Sequence, residues 1–410
     1  MQTNIKCLLA LCAISVLAVS SCVKEEYDLN TLVQTGTWKP EIAMPLVHSK
    51  LSVEDILAPA ENDQDELGVD PDGLMLLIYK DTLFSAWAQT FILGLLPGGS
   101  LTGAAIGGPY SVFLPIDSLD MNLGVYNKVL GGSFYFENCT VRVIVTSTLG
   151  VPVDMALVVL DAYSPINGTM PIALWGNTAP PNIALDNPSS PSYPTVWGDT
   201  AVTVYTFDEN NSNIKDFIQI NPKYIFYSVQ ADVNPLGLTD PTLFVLDTSE
   251  FSVELEVELP LYGTANVVSL GDTIPFELGL NDPSGSELVV TEAIFMVNTY
   301  NDFPVDAEMQ LLFMDSNQVV IDSLFRNGQS FILRGASVGP APALRTSTPR
   351  HTVTQVFVNQ ARLDNLGRAQ EMIVRGRLTT SNGGFDIVKI YQDYAIEVKL
   401  GVKAKLQIGE

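Results

Sequence analysis

The sequence predicts a mainly β protein: two antiparallel β-sandwich units in tandem, with a few short helices. Three observations carry that prediction. Apolar and polar residues alternate with period two in several segments, most plainly from Phe251 to Leu261 and from Ile396 to Ile408, as expected of strands with one dry face. Proline-bearing stretches recur: Val112-Phe113-Leu114-Pro115-Ile116 matches Val257-Glu258-Leu259-Pro260-Leu261, with Ile42-Ala43-Met44-Pro45-Leu46 as a weaker copy, and Val145 to Asp154 matches Val297 to Asp306 through a shared Pro-Val-Asp. Turn residues separate the short apolar runs, which favours sandwiches over α/β folds.

The chain begins with a basic end carrying Lys6, an apolar run from Cys7 to Val19, then Val19-Ser20-Ser21-Cys22 followed by Val23-Lys24-Glu25-Glu26. The run is uncharged, too short to span a bilayer, and ends in small residues, which are the marks of an export signal. Its end resembles the lipobox of bacterial lipoproteins, which implies that Cys22 becomes the first mature residue and carries the acyl chains, palmitate among them. Lys24, Glu25 and Glu26 resemble the surface-export signal of Bacteroidota lipoproteins. Several acyl chains on one cysteine make a stable anchor, because each buried methylene contributes roughly 0.8 kcal/mol. The expectation is an outer-membrane lipoprotein displayed at the cell surface, with residues 1–21 removed and 22–40 acting as a tether.

Composition narrows the partners. Charged residues are 16% of the 410 and hydrophobic ones 47%, yet 46 acids against 21 bases leave a formal charge of -25. That balance repels phosphate backbones and anionic headgroups, so nucleic acid is excluded as a partner. Of the four cysteines, Cys7 and Cys12 leave with the signal and Cys22 is acylated. Cys139 remains alone, read as a small buried hydrophobe, and stability must come from the core.

Beyond the tether, Glu41 to Leu46 starts an extended segment, and Leu51 to Leu57 a short helix capped by Ser52. Residues 61–73 form an acidic loop with Asp63, Asp65, Glu66, Asp70 and Asp72. Leu67 and Leu74 stand where a calcium loop needs oxygen ligands, so the loop is read as solvated and no metal or cofactor is expected. A strand over Leu74–Tyr79 leads into an uncharged run from Leu83 to Ile106. Pro97-Gly98-Gly99 would break a helix at mid-depth, so the run is apolar without spanning. It is either buried or, through Trp87, Phe91 and Leu95, a surface that docks a partner.

Two units follow, residues 41–200 and 201–410, and their strand pattern resembles immunoglobulin-like and late-embryogenesis-abundant-type sandwiches. Each Pro-Val-Asp should open a strand after a turn, because proline gives no N–H to a ladder. Residues 163–200, rich in Pro, Ser and Asn, read as a long loop whose Trp175, Tyr193 and Trp197 offer faces on which sugar rings stack. Ile214–Ile218 reads as a helical turn, Tyr224–Val233 as a strand, and Leu363–Glu371 as a short helix. The Glu-faced strand 251–261 and the Lys-faced strand 396–408, the latter about 44 Å long, are expected side by side in one sheet through opposite charges.

Chemistry is sparse. His48 and His351 are the only histidines, and neither sits in a catalytic, zinc or phosphate-binding motif. Five Asp-Ser/Thr-aliphatic triplets, at Thr82, Ser118, Thr200, Thr273 and Ser323, resemble the O-glycosylation acceptors of exported Bacteroidota proteins. The competing reading of each is a turn in which the aspartate bonds its own backbone. The functional expectation is a non-enzymatic surface lipoprotein that binds or assembles with another envelope protein, an outer-membrane barrel or accessory lipoprotein. A glycan-binding surface protein is the alternative.

Overall fold

The computed structural model describes residues 41–57, 65–92, 95–121, 129–165, 170–175, 189–276, 288–326 and 331–408. In chain order, β1 (Glu41–Ser52) runs into helix α1 (Val53–Leu57). Ser52 Oγ accepts the Asp55 N–H at 3.1 Å and the Asp55 carboxylate accepts the Ser52 N–H at 2.8 Å, the reciprocal cap expected of Ser52. Strands β2 (Asp65–Val69) and β3 (Met75–Trp87) are joined by a turn in which Asp70 Oδ1 accepts the N–H groups of Asp72 and Leu74, each at 2.8 Å. Then come α2 (Ala88–Phe91), β4 (Ser100–Thr102), β5 (Tyr110–Asp120), β6 (Val129–Phe136), β7 (Thr140–Ser147), β8 (Val153–Tyr163), β9 (Ile172–Ala173) and β10 (Ala201–Phe207). Helix α3 (Ile214–Gln219) precedes β11 (Tyr224–Val233), β12 (Phe244–Leu246), β13 (Glu250–Pro260), β14 (Tyr262–Pro275), β15 (Leu288–Asn301), β16 (Val305–Met314), β17 (Val320–Ser323) and β18 (Phe331–Leu333). The chain closes with β19 (Arg350–Asn359), α4 (Gln360–Arg368), β20 (Glu371–Thr380), β21 (Val388–Lys389) and β22 (Ala395–Ile408).

Among the described residues five antiparallel sheets result, which confirms the mainly β class. One sandwich faces a sheet ordered β10-β7-β13-β3-β2 against one ordered β5-β11-β8-β9, with the β12-β4 pair beside them. Period-two patterning builds its core. Val141, Val143 and Val145 of β7 and Phe251, Val253, Leu255, Val257 and Leu259 of β13 all point inward and are buried. In β8 the buried set switches from Val153, Met155 and Leu157 to Leu160 and Ala162. The switch falls at Val158, where the pairing with β11 shifts and the side chain is 47% exposed, so one bulged residue turns the second half of the strand over. Cys139 joins this core as a free thiol, and burial, with Glu209 and Glu137 nearby, pushes its pKa up to about 12.

The second sandwich pairs a sheet ordered β1-β22-β15-β19 with one running β17-β16-β20-β14-β21, in which β18 also pairs β16 and β6 pairs β14. The sequence repeat has a structural meaning. Val153 and Val305, each following the proline of Pro-Val-Asp, open β8 and β16, and in both places the chain crosses from one sheet of its sandwich to the other.

Two expectations are corrected. Hydrogen bonds cross the boundary expected at 200/201: β10, β11 and β13 belong to the first sandwich, while β1 and β6 are given over to the second. The sandwiches part at Leu261, between β13 and β14. The Glu-faced and Lys-faced strands also lie in separate sheets. Each finds nearer counter-charges: Arg142 of β7 reaches Glu256 at 2.5 Å and Glu258 at 2.7 Å, and Lys80 of β3 reaches Glu256 at 3.3 Å. On β22, Lys403 pairs with Glu41 at 2.6 Å and Lys405 with Glu292 at 2.7 Å. Cross-strand charge pairs contribute only about 0.2–1 kcal/mol, too little to choose a sheet against core burial.

The exchange of β6 needs a glycine. Gly263 sits at φ +155°, and a Cβ there would lie 1.8 Å from the Tyr135 carbonyl oxygen, so β14 approaches β6 more closely than any side chain allows. Gly263→Ala is expected to destabilise the protein by about 3 kcal/mol, read as a lowered midpoint in urea, whereas Gly98→Ala, with open space around its Cβ position, should cost only about 1 kcal/mol for its positive φ.

Candidate binding site

The residues singled out from the sequence are dispersed. Cys22, Lys24, Glu25 and Glu26 lie outside the described residues. Trp87 is 45% exposed at the end of β3, but Phe91 packs against the first core and Leu95 lies within it. The Leu83–Ile106 run therefore sends Leu83, Ala88, Ile92, Leu95 and Ile106 inward, and the three-residue docking surface is corrected to an exposed Trp87 alone. Among the described residues no helix is long and apolar enough to cross a membrane.

The loop aromatics also part company. Tyr193 packs on the first core; Trp175 is half-buried, its backbone N–H donating to Asn213 Oδ1 at 2.8 Å; Trp197 is 54% exposed and stacks on Phe244 with ring centroids 5.4 Å apart. The loop returns to the first sandwich, Ser189 bridging to Met155 of β8. Of the Asp-Ser/Thr triplets, Thr82, Ser118, Thr200 and Thr273 are exposed and Ser323 is half-buried. Asp81, Asp117 and Asp322 each accept the N–H of the following residue, at 2.7, 2.8 and 2.7 Å, the local bond of the competing reading made within strands rather than turns.

The histidines are nearer each other than their 303-residue separation in sequence suggests. His48 Nε2 lies 2.6 Å from Glu397 Oε1, which Lys399 reaches at 2.9 Å; the Lys399 ammonium lies 5.0 Å from the Tyr300 ring centroid, and Tyr300 stacks on His351 at 4.4 Å. This ladder crosses all four strands of the β1-β22-β15-β19 sheet. The hydrogen bond from Lys399, then that from His48, holds the Glu397 carboxyl below the ordinary range, and Glu397 raises Lys399 in turn. The groups are solvent-facing and satisfied by one another, so the ladder ties strands together. Among the described residues no group of three or more His, Cys, Asp or Glu is arranged to hold a metal ion.

A concave feature of the described residues lies where the sandwiches meet. An apolar cavity of about 170 Å³ is walled by Phe134 and Phe136 of β6, Leu261 and then Tyr262 to Ala265 of β14, Val305 and Ala307 of β16, Leu378 and Thr380 of β20, Val388 of β21, and Ile396 of β22, with Leu77 contributed by β3. Its polar side chains are few. Thr380 is already committed, its hydroxyl bonded to the backbone of Ala265 at 3.3–3.4 Å. The sequence does not reveal the cavity because most of its lining residues look like ordinary core and come from distant segments.

No protein-family model matches the chain, and no curated protein matches it. Among solved structures it is similar to a "putative secreted protein" from Parabacteroides distasonis, at 13% identity and a TM-score of 0.43, covering 89% of this chain and 99% of that one. Infectious bursal disease virus structures follow: the Gt strain at 10% identity, TM-score 0.16, covering 85% of this chain and 75% of that one, and the VP2 subviral particle at 9%, 0.16, 86% and 83%. At these scores none bears on function, and the fold is read from the chain's own strands.

The burial difference has a direct readout. Leu95→Ala should destabilise the protein by about 2–5 kcal/mol through the cavity it leaves, while Trp87→Ala should cost less than about 1 kcal/mol, both followed by thermal unfolding.

Proposed function

We propose that this chain is a non-enzymatic lipoprotein of the outer membrane, held by acyl chains on Cys22 and displayed at the cell surface through Lys24-Glu25-Glu26, whose sandwiches bind another envelope protein. One observation carries the binding role. Among the described residues strand β19 pairs only with β15, so up to Phe357, whose carbonyl Arg362 takes, its other edge is open to a partner strand, and its outward side chains include Val353 and Phe357, 51% and 63% exposed. Long apolar edges invite strand addition by a partner, and soluble proteins ordinarily blunt them with charge or proline. Residues 350–359 contain no proline, and only Arg350 is charged apart from His351. The formal charge of -25 favours a partner whose contacting edge is neutral or basic.

Glycan binding is the second reading, supported by Trp197 alone, whose exposed ring is backed by Phe244.

Co-purification from detergent-solubilised membranes tests the first reading. The wild type should bring down a stoichiometric envelope protein, and Phe357→Glu should lose it by at least tenfold at unchanged thermal stability; retention on polysaccharide that Trp197→Ala abolishes would favour the second reading instead. Cys22→Ala should move the protein from the membrane pellet to the soluble fraction.

A further inference from the structure

We infer that the cavity at the junction of the two sandwiches is a binding site for a neutral, compact hydrocarbon group, free or at the end of an acyl chain. The inference is independent of the docking edge on β19 and of the anchor at Cys22.

Chemistry selects the ligand. Phe134, Phe136, Leu261, Leu378, Ile390 and Ile396 present carbon, and the Thr380 hydroxyl is bonded to Ala265, so water inside would forgo most of its hydrogen bonds. Apolar cavities of about 150 Å³ stay dry and take benzene-sized guests, and a water needs two to four polar partners. A charged guest is excluded for the same reason, since the wall offers no side-chain counter-ion.

The walls are also fixed. Met75 N–H donates to the Ile390 carbonyl at 3.0 Å, Ile390 N–H to that of Leu261 at 2.9 Å, and Leu261 N–H to that of Met75 at 2.8 Å. Leu261 and Ile390 line the cavity, and this closed ring keeps them from moving inward to fill it. Tyr135 lines the cavity and is 42% exposed, which marks the way in and leaves room for the polar end of an amphiphile. Because lining residues come from both sandwiches, an occupant touches both at once.

The test is thermal unfolding of the soluble Cys22→Ala chain with toluene, and separately with dodecyl maltoside below its micellar concentration. Toluene is expected to raise Tm by about 2–4 °C near saturation. A rise with toluene alone assigns a small free hydrocarbon, and a rise with both assigns an acyl-chain end, the sugar staying outside. Ala307→Leu, which places carbon in the space, should abolish either rise; Val305→Leu serves where that variant fails to fold. No rise with either probe, or an equal rise in a folded cavity-filled variant, overturns the assignment.

Discussion

Three backbone hydrogen bonds closed into a ring hold the two halves of this molecule in one arrangement. Met75, Ile390 and Leu261 come from β3, the segment after β21, and the turn between β13 and β14, and each donates to the next at 2.8–3.0 Å. A buried peptide group must find a partner; the bonds of Leu261 to Met75 and of Ile390 to Leu261 continue the β13-β3 and β14-β21 ladders, and Met75 and Ile390 find each other only when the sandwiches are docked. Glu137 N–H to Tyr262 and Gln392 N–H to Gly73, at 2.8 and 3.0 Å, extend the seam on either side. Val53, Leu74, Met75, Phe303, Tyr391 and Tyr394 bury a small apolar cluster against it. Domains in one chain ordinarily move relative to each other unless their interface is large and apolar. Here a hinge would break backbone pairs, expose that cluster, and pull β6 out of the sheet it completes.

The same seam explains which parts of the fold the sequence reveals. Alternation is a local property, so β11 is found over Tyr224–Val233 and β22 within a residue of its expected start. The cap at Ser52 and the strand starts at Val153 and Val305 are legible too, because proline and a capping hydroxyl act within three or four residues. Helix α4 begins three residues before its expected start, since Asn359 caps it by accepting the Arg362 N–H at 3.1 Å. The exchanges of β1 and β6 leave no local trace. Either strand carries the same pattern whichever sheet receives it, and proximity in sequence assigns both to the wrong sandwich.

Charge misleads in a similar way. Glu and Lys faces on distant strands suggest each other, yet Glu256 is satisfied by the residues opposite it on both neighbours, Arg142 and Lys80. Burial raises the Glu256 pKa, but the hydrogen bonds from Arg142 and Lys80 outweigh it and hold the carboxyl below its ordinary value. Its stabilising contribution is therefore present above the ordinary carboxylate range and fades as pH falls through the depressed value. Among the described residues one ion pair is deeply buried, and it arises with no sequence signal. Asp322 meets Arg362 of α4 at 3.4 Å, and the guanidinium also donates to the carbonyls of Phe357, Ser323 and Leu324 at 2.5–2.9 Å. A buried charge persists only when its remaining hydrogen-bonding groups are met; Asp322 also accepts from Arg326 at 2.8 Å and from the Ser323 N–H at 2.7 Å, while Arg362 pins β17 and β19 to the helix.

The cavity is the consequence that least resembles its sequence. Leu77, Phe136, Leu261, Ile390 and Ile396 lie on five segments spread over some 320 residues, and each looks like core because each is core. A filled interior and a hollow one draw on the same apolar alphabet; what separates them is whether the walls can close. Collapse would require β14 to advance on β6, which the Gly263 contact with the Tyr135 carbonyl already holds at the limit of approach, or would require the backbone ring to open. Close contact on one side and saturated hydrogen bonding on the other leave the space standing. A fold that buries carbon this thoroughly in its cores holds this pocket open at its most constrained point, which is what the proposed apolar guest requires.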